Sequence, residues 1–153
     1  MVKIMKIVAS TFLILAAAVL SSEFTKSGVN GWYIDFAKPT ITPPDYVFPS
    51  VWGVLYAFLI LAMILVIINP NEKADYPVWR ALIFQLVFQI LWCFVFFEKQ
   101  QLGLGFAVIA LMIVEAFPMV WYFWQTNKFA GILVLPYLAW LIFAGMINAA
   151  FVF

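Results

Sequence analysis

Gln85 and Gln89 stand one helical turn apart, and Trp92 follows Gln85 by seven positions, so in a helix all three share a face. A carboxamide that faces hydrocarbon leaves its donors and acceptors unpaired. This stripe therefore belongs inside a protein, where it either bonds neighbouring helices together or lines a pocket; the residues alone leave both readings open. Tyr137, Trp140, Ala144 and Asn148 form a second stripe, falling within one arc at about 100° per residue. Phenol, indole and amide groups on one side of a helix suit a cavity wall, while Gly145 and Ala149 form a small-xxx-small pair that seats a neighbouring helix. Trp52 heads a third face with Leu55, Tyr56 and Leu59.

Much conventional chemistry is excluded. The chain has no His, which removes the commonest metal ligand and the usual general base near neutral pH. Cys93 is the single cysteine, so no intrachain disulfide can form. Glu115 is the one carboxylate well inside an apolar run, and burying it ionised requires a partner or water. A proton relay would need a second intramembrane ionisable group, and the apolar runs supply none. No nucleophile-base pair stands out, so the residues lean away from an enzyme. Neither a catalytic residue nor a metal site nor a resident cofactor is assigned.

The elements that carry these stripes follow from composition. Of 153 residues, 67% are hydrophobic, 20% aromatic and 10% charged, where a soluble domain carries about 25% charged residues. Mean hydropathy is +1.09. Lipid accepts such a chain and water does not. A net charge of +1 gives no reason to expect a nucleic-acid partner. Apolar runs long enough to span a bilayer predict helices over approximately 4–22, 46–69, 79–97, 102–125 and 129–151, in a single domain over 1–153. The expected fold is all-α: a five-transmembrane-helix bundle, integral and multi-pass, with the lipid bilayer as its surroundings.

Connections set the topology. "EFTKSGVNGWYIDFAKPTITPPD" is one long loop between the first two spans, "NPNEKADYPVWR" a shorter turn with an Asn-Pro-Asn breaker. "EKQQ" and "QTNK" are tight, which makes the last three helices sequential antiparallel neighbours. Lys3 and Lys6 before an apolar run also describe a secretory signal peptide, but "AVLSS" is a poor cleavage site and a retained helix is expected. Lys3, Lys6, Lys73, Arg80 and Lys128 lie on the N-terminal side, against Lys26, Lys38 and Lys99 on the other, leaning toward a cytoplasmic N-terminus. Most tryptophans and tyrosines near span ends, such as Trp121, Tyr122 and Trp124, suit the headgroup layer.

Beyond composition, "GWYIDFAKPTITPPDYVFPSVWGVLY" resembles the W-Y…K-P-x-x-x-P-P-x-x-V-F-x-x-V-W-x-x-L-Y signature of the TspO/MBR family. This family comprises the tryptophan-rich sensory proteins of bacteria and the mitochondrial translocator or peripheral benzodiazepine receptor proteins. "QLVFQILWCFVFF" is similar to its Q-L-x-L-N-x-x-W-S-x-x-F-F, and "LPYLAWLIFAGMIN" to its P-Y-L-x-W-x-x-F-A-x-x-L-N. Some positions depart: Gln89 stands where the family has Asn, Cys93 where it often has Ser, and Ile41 and Tyr46 where many members carry loop tryptophans. The family's acidic residue early in helix four falls near Val108 or Ile109, so no role passes to Glu115. The sterol motif of the L/V…Y…K/R type is missing after Tyr137, since no Lys or Arg follows.

The resemblance implies a bundle that is often a homodimer, with a pocket capped by the long loop. It implies a receptor or transport function for small hydrophobic ligands, tetrapyrroles such as protoporphyrin IX or sterols. Carried over by motif, Trp52, Gln85, Gln89, Trp92, Trp140, Ala144 and Asn148 bind the ligand, and Tyr56 joins Trp52 on the inward face of the pocket. The lid contains Trp32, Tyr33, Lys38, Pro39, Pro43 and Pro44. The resemblance also raises light-dependent porphyrin degradation through Trp52 and Trp140 as an alternative; a structural membrane protein whose stripes only pack helices is the remaining one.

Overall fold

A computed structural model describes residues 1–35, 38–69 and 72–153. Among the described residues, five helices are long and apolar enough to cross a bilayer: α1 (Val2–Val29), α3 (Val47–Ile68), α4 (Glu72–Cys93), α5 (Leu102–Thr126) and α6 (Lys128–Val152). A single short turn, α2 (Trp32–Asp35), lies in the connection after α1, and α4 ends in a π-helical turn over Phe94–Glu98. Among the described residues there is no strand.

The packing order makes a closed ring. α1 packs on α3 and α4, α3 on α6, α6 on α5, and α5 back on α4. The tight connections after α4 and α5 leave no room for any other arrangement of α4, α5 and α6. Outward positions such as Phe12, Val19, Val87, Val114, Phe117 and Met146 are exposed apolar side chains, the surface hydrocarbon requires.

Two helix starts and ends differ from the apolar runs. α1 continues past residue 22 to Val29, and α4 begins at Glu72 rather than near 79. Nothing in "EFTKSGV" breaks a helix: Lys26 pairs with Glu23 at 2.9 Å, and the Thr25 hydroxyl donates to Ser21 O at 2.8 Å. The helix stops at Asn30, next to Gly31. Pro77 falls in the second turn of α4, where it removes one intrahelical hydrogen bond near the helix start without ending the helix. Apolar length marks the membrane, whereas the helix ends where the backbone is interrupted. The connection between the first two spans is correspondingly shorter than the sequence suggests, though still the longest in the chain. The breaker at Pro70 and Asn71 lies outside the described residues.

The two ends of the bundle are filled differently. Toward the α3–α4 connection, Ile14, Leu59, Met63, Val66, Leu82, Met119, Phe123 and Val134 form a dense, largely aliphatic core. Toward the opposite end, Tyr33, Trp92, Phe96, Phe97, Tyr137 and Leu141 form a largely aromatic one. Close helix approaches frame this second end. A Cβ on Gly28 would stand 2.7 Å from Phe97 Cβ and 2.8 Å from its carbonyl oxygen, so α1 touches the π-helical turn there. A Cβ on Gly145 would stand 2.8 Å from Ile113 Cδ1, which fits the small-residue seat expected on α6.

Candidate functional site

The aromatic end holds a cavity of about 450 Å³ between α1, α3 and α4. Its walls repeat at helical spacing. α3 contributes Pro49, Trp52, Gly53 and Tyr56, at i, i+3, i+4 and i+7. α1 contributes Ser21, Ser22, Thr25 and Val29 among others, and α4 contributes Gln89, Trp92, Cys93 and Phe97. Pro49 is accommodated because it stands in the first turn of α3, where its missing N–H has no intrahelical acceptor to serve.

Chain direction orders the cavity by depth. α1 and α4 run toward the mouth while α3 runs away from it, so Ser21, Tyr56 and Gln89 lie at the inner end. Lys26, Asn30, Tyr33, Asp45 and Phe97 lie at the mouth. The middle is aromatic: Trp52 stacks on Tyr56 with ring centroids 5.7 Å apart.

The α1–α3 connection covers the mouth. Trp32 Nε1 donates to Phe97 O at 2.8 Å, tying α2 to the end of α4. Tyr33 is buried against Phe97 and Phe151. Lys38 Nζ sits 4.6 Å from the centre of the Tyr33 ring and contacts both Asp45 carboxylate oxygens, at 2.8 and 2.9 Å. Burial and the nearby Asp45 charge push the Tyr33 phenol up to about 12. Turns at Pro39 and Pro44 accept from Thr42 N and Val47 N and lead into α3. Of the lid residues named from the sequence, Tyr33 lines the cavity; Trp32 and Lys38 hold the cover, and Pro43 lies between the turns.

The eight wall residues expected from the sequence divide into two groups. Trp52, Tyr56, Gln89 and Trp92 line the cavity. Gln85 is fully buried one turn deeper, where Nε2 donates to Met112 O at 2.8 Å and Oε1 accepts from the Tyr137 hydroxyl at 3.0 Å. Gln85 is thus a tie between α4, α5 and α6. Asn148 Oδ1 accepts from Trp92 Nε1 at 2.9 Å, and its Nδ2 donates to Leu102 O at 3.3 Å. Ala144 is buried in the aromatic core. Trp140 lies behind Trp52, ring centroids 6.5 Å apart, and lines a shallow apolar groove on the outer face of α3 and α6 with Val54, Pro136 and Ala139. That groove opens flat toward lipid, so the enclosed cavity is the better candidate site.

Sequence reasoning missed the α1 wall. Ser21, Ser22 and Thr25 sit at i, i+1 and i+4 at the end of the first apolar run, a polar patch that lipid would not favour. Glu115 found its partner across helices, with Arg80 Nη2 at 3.7 Å from Oε2. Among the described residues no group of His, Cys, Asp and Glu is arranged to hold a metal.

A bundle of five membrane helices, with an aromatic cavity between three of them beneath the first connection, defines a small multi-pass membrane protein. The chain matches the TspO/MBR family over residues 10–153 and belongs to it. It is 33% identical over 147 residues to the tryptophan-rich protein TspO of Archaeoglobus fulgidus, covering 96% of this chain and 95% of that one. It is 34% identical over 109 residues to the tryptophan-rich sensory protein of Cereibacter sphaeroides, covering 71% and 67%. The human translocator protein is 34% identical over 136 residues, covering 84% and 78%.

Proposed function

We propose that this protein binds a porphyrin-like or sterol-like apolar molecule in the cavity between α1, α3 and α4, for transport or sensing. The observation that carries this reading is the enclosed volume of about 450 Å³ walled by Trp52, Tyr56, Trp92 and Tyr33 and provided with a few polar groups. Ligand sites have this character: mostly apolar, largely preformed, with a small number of orienting polar atoms. Flat rings gain from packing on indole and phenol faces. Relatives carry the names translocator and sensory protein, which supports a binding role over a purely structural one. The α1–α3 connection acts as the lid.

Titration of the purified protein with protoporphyrin IX, followed by tryptophan fluorescence, tests the reading. Saturable quenching at micromolar ligand, reduced in Trp52→Phe, is expected. No quenching, or quenching unchanged in Trp52→Phe, contradicts it.

A second reading, light-dependent porphyrin degradation, draws on the contact between Trp52 in the cavity wall and Trp140 behind it. It requires that ligand absorbance fall under illumination in air with both indoles intact and persist when they are replaced by Phe.

A further inference from the structure

The cavity wall is parted on one side, between α1 and α3. Toward the α3–α4 connection these two helices are joined: Ile14 and Ala17 of α1 are buried with Leu59 and Met63 of α3 in the aliphatic core. Toward the mouth they separate. There α1 rests on the end of α4, with Gly28 so near Phe97 that an added Cβ would stand 2.7 Å from its Cβ. On α3 the reverse holds, since a Cβ on Gly53 would meet nothing within 4 Å. Small residues on membrane helices ordinarily let a neighbour approach closely. At Gly53 no neighbour has done so.

Residues along this seam face two ways. Ser22 and Lys26 of α1 stand one turn apart, as do Pro49 and Gly53 of α3; all four line the cavity, and all four are exposed on the outer surface. Outward apolar side chains flank them, Val19 at 61% exposed on α1 and Ala57 on α3, so the parting faces hydrocarbon. Gly53 lies six residues beyond Val47, about 9 Å along α3, and Ser22 seven residues before Val29, about 10 Å along α1. The parting therefore reaches well below the cover. Ser22, Pro49 and Gly53 have no long side chain to close it. Lys26, the one long chain on the rim, pairs with Glu23 along its own helix at 2.9 Å.

We infer that this parting is a lateral portal, through which neutral apolar molecules pass between bilayer hydrocarbon and the cavity while the cover stays shut. Entry through the mouth must break contacts that hold the cover, the Trp32 bond to Phe97 O and the Lys38–Asp45 pair. Entry from the side breaks neither. Apolar molecules concentrate in hydrocarbon, so the lateral route also draws on the richer supply. Charged molecules, which hydrocarbon excludes, are left with the mouth, and loosening the cover adds the mouth as a second route for the rest. The portal rests on the binding function proposed above only for the identity of its cargo.

Alkylation of Cys93, the only cysteine and a residue of the cavity wall, reads access without any ligand. The full chain in phosphatidylcholine vesicles is treated with N-cyclohexylmaleimide, which dissolves in the bilayer, or with a sulfonated maleimide present in the water on both sides. Intact mass follows the labelling. The apolar reagent should label Cys93 faster than the charged one, each rate being referred to the same reagent's reaction with free cysteine in water. Ser22→Phe and Gly53→Leu, which add bulk from opposite sides of the parting, should each slow the apolar reagent by about tenfold, since passage must then displace a packed side chain. Wild-type labelling by the apolar reagent in either folded variant would overturn the inference. So would a charged reagent that labels as fast as the apolar one, or a Cys93 that neither reagent reaches. The variants lie on separate helices and the wild-type comparison stands by itself, so a variant that fails to fold leaves the portal open to refutation. Apolar labelling that obeys these expectations in a protein that binds no protoporphyrin IX would keep the portal and remove the proposed function.

Discussion

The indole N–H of Trp92 donates to Asn148 Oδ1 across 2.9 Å, and this bond fastens the α4 wall of the cavity to α6. Trp92 itself is 6% exposed and stacks on Phe96, so the indole has little freedom to find another acceptor. Replacing Asn148 by Leu strands both the indole N–H and Leu102 O. The expected cost is about 1–3 kcal/mol for the orphaned groups. Thermal unfolding in detergent should show a lowered midpoint, and ligand affinity should fall as the Trp92 ring loses its fixed position.

Gln85 should behave differently, although it lies on the same face of α4 as Gln89. Its bonds reach Met112 O and the Tyr137 hydroxyl, away from the cavity. Gln85→Leu is expected to destabilise the bundle by about 0.6–2 kcal/mol per lost interhelical bond. Porphyrin affinity, measured below the unfolding transition, should stay within about twofold, given that one unit of 1.4 kcal/mol would be tenfold. A large affinity loss at unchanged stability would instead place Gln85 in the ligand site.

The cover carries its own pH dependence. The Tyr33 phenol is raised to about 12 by burial and by Asp45. A phenol whose folded value exceeds its unfolded value of about 10 favours the closed, neutral state below that pH. That contribution is fully present below pH 10 and is lost as pH rises toward 12. Ligand dissociation should therefore accelerate across this window in the wild type, and Tyr33→Phe should abolish that step. Stopped-flow release of a fluorescent porphyrin is the measurement.

Gly28 should tolerate no side chain. An added methyl would meet Phe97 Cβ at 2.7 Å and the Phe97 carbonyl oxygen at 2.8 Å, both close to or on the backbone. Gly28→Ala gains helix propensity but forces α1 from α4, at about 1–3 kcal/mol for overpacking. The unfolding midpoint should drop, and the cavity mouth should widen enough to speed ligand release.

Much of this architecture was legible in the sequence because lipid punishes polar groups so strongly. Uncharged runs marked all five spans, and the short "EKQQ" and "QTNK" connections fixed the order of α4, α5 and α6. The amide stripes also marked interior faces correctly, yet their cost could not say what they faced. Gln85 and Gln89 carry the same signal from adjacent turns, but one is consumed by Met112 and Tyr137 while the other borders the cavity. That difference depends on neighbours far away in the chain. The α1 wall was illegible for another reason: Ser21, Ser22 and Thr25 sit where the apolar run ends, and only the helix's continuation to Val29 brings them over the cavity.

Gly53 offers the most direct test of the central claim. It shares the cavity face of α3 with Trp52 and Tyr56, and an added Cβ there would meet nothing within 4 Å. Gly53→Phe therefore adds a bulky ring at the cavity wall from a position whose Cβ meets no neighbour, and loss of a helical glycine adds roughly 0.3–0.5 kcal/mol of stability. In a protoporphyrin IX titration read by tryptophan quenching, this variant should keep or raise its unfolding midpoint and lose at least about tenfold in affinity, 1.4 kcal/mol. Wild-type affinity in a folded Gly53→Phe protein would place the ligand elsewhere and contradict the account.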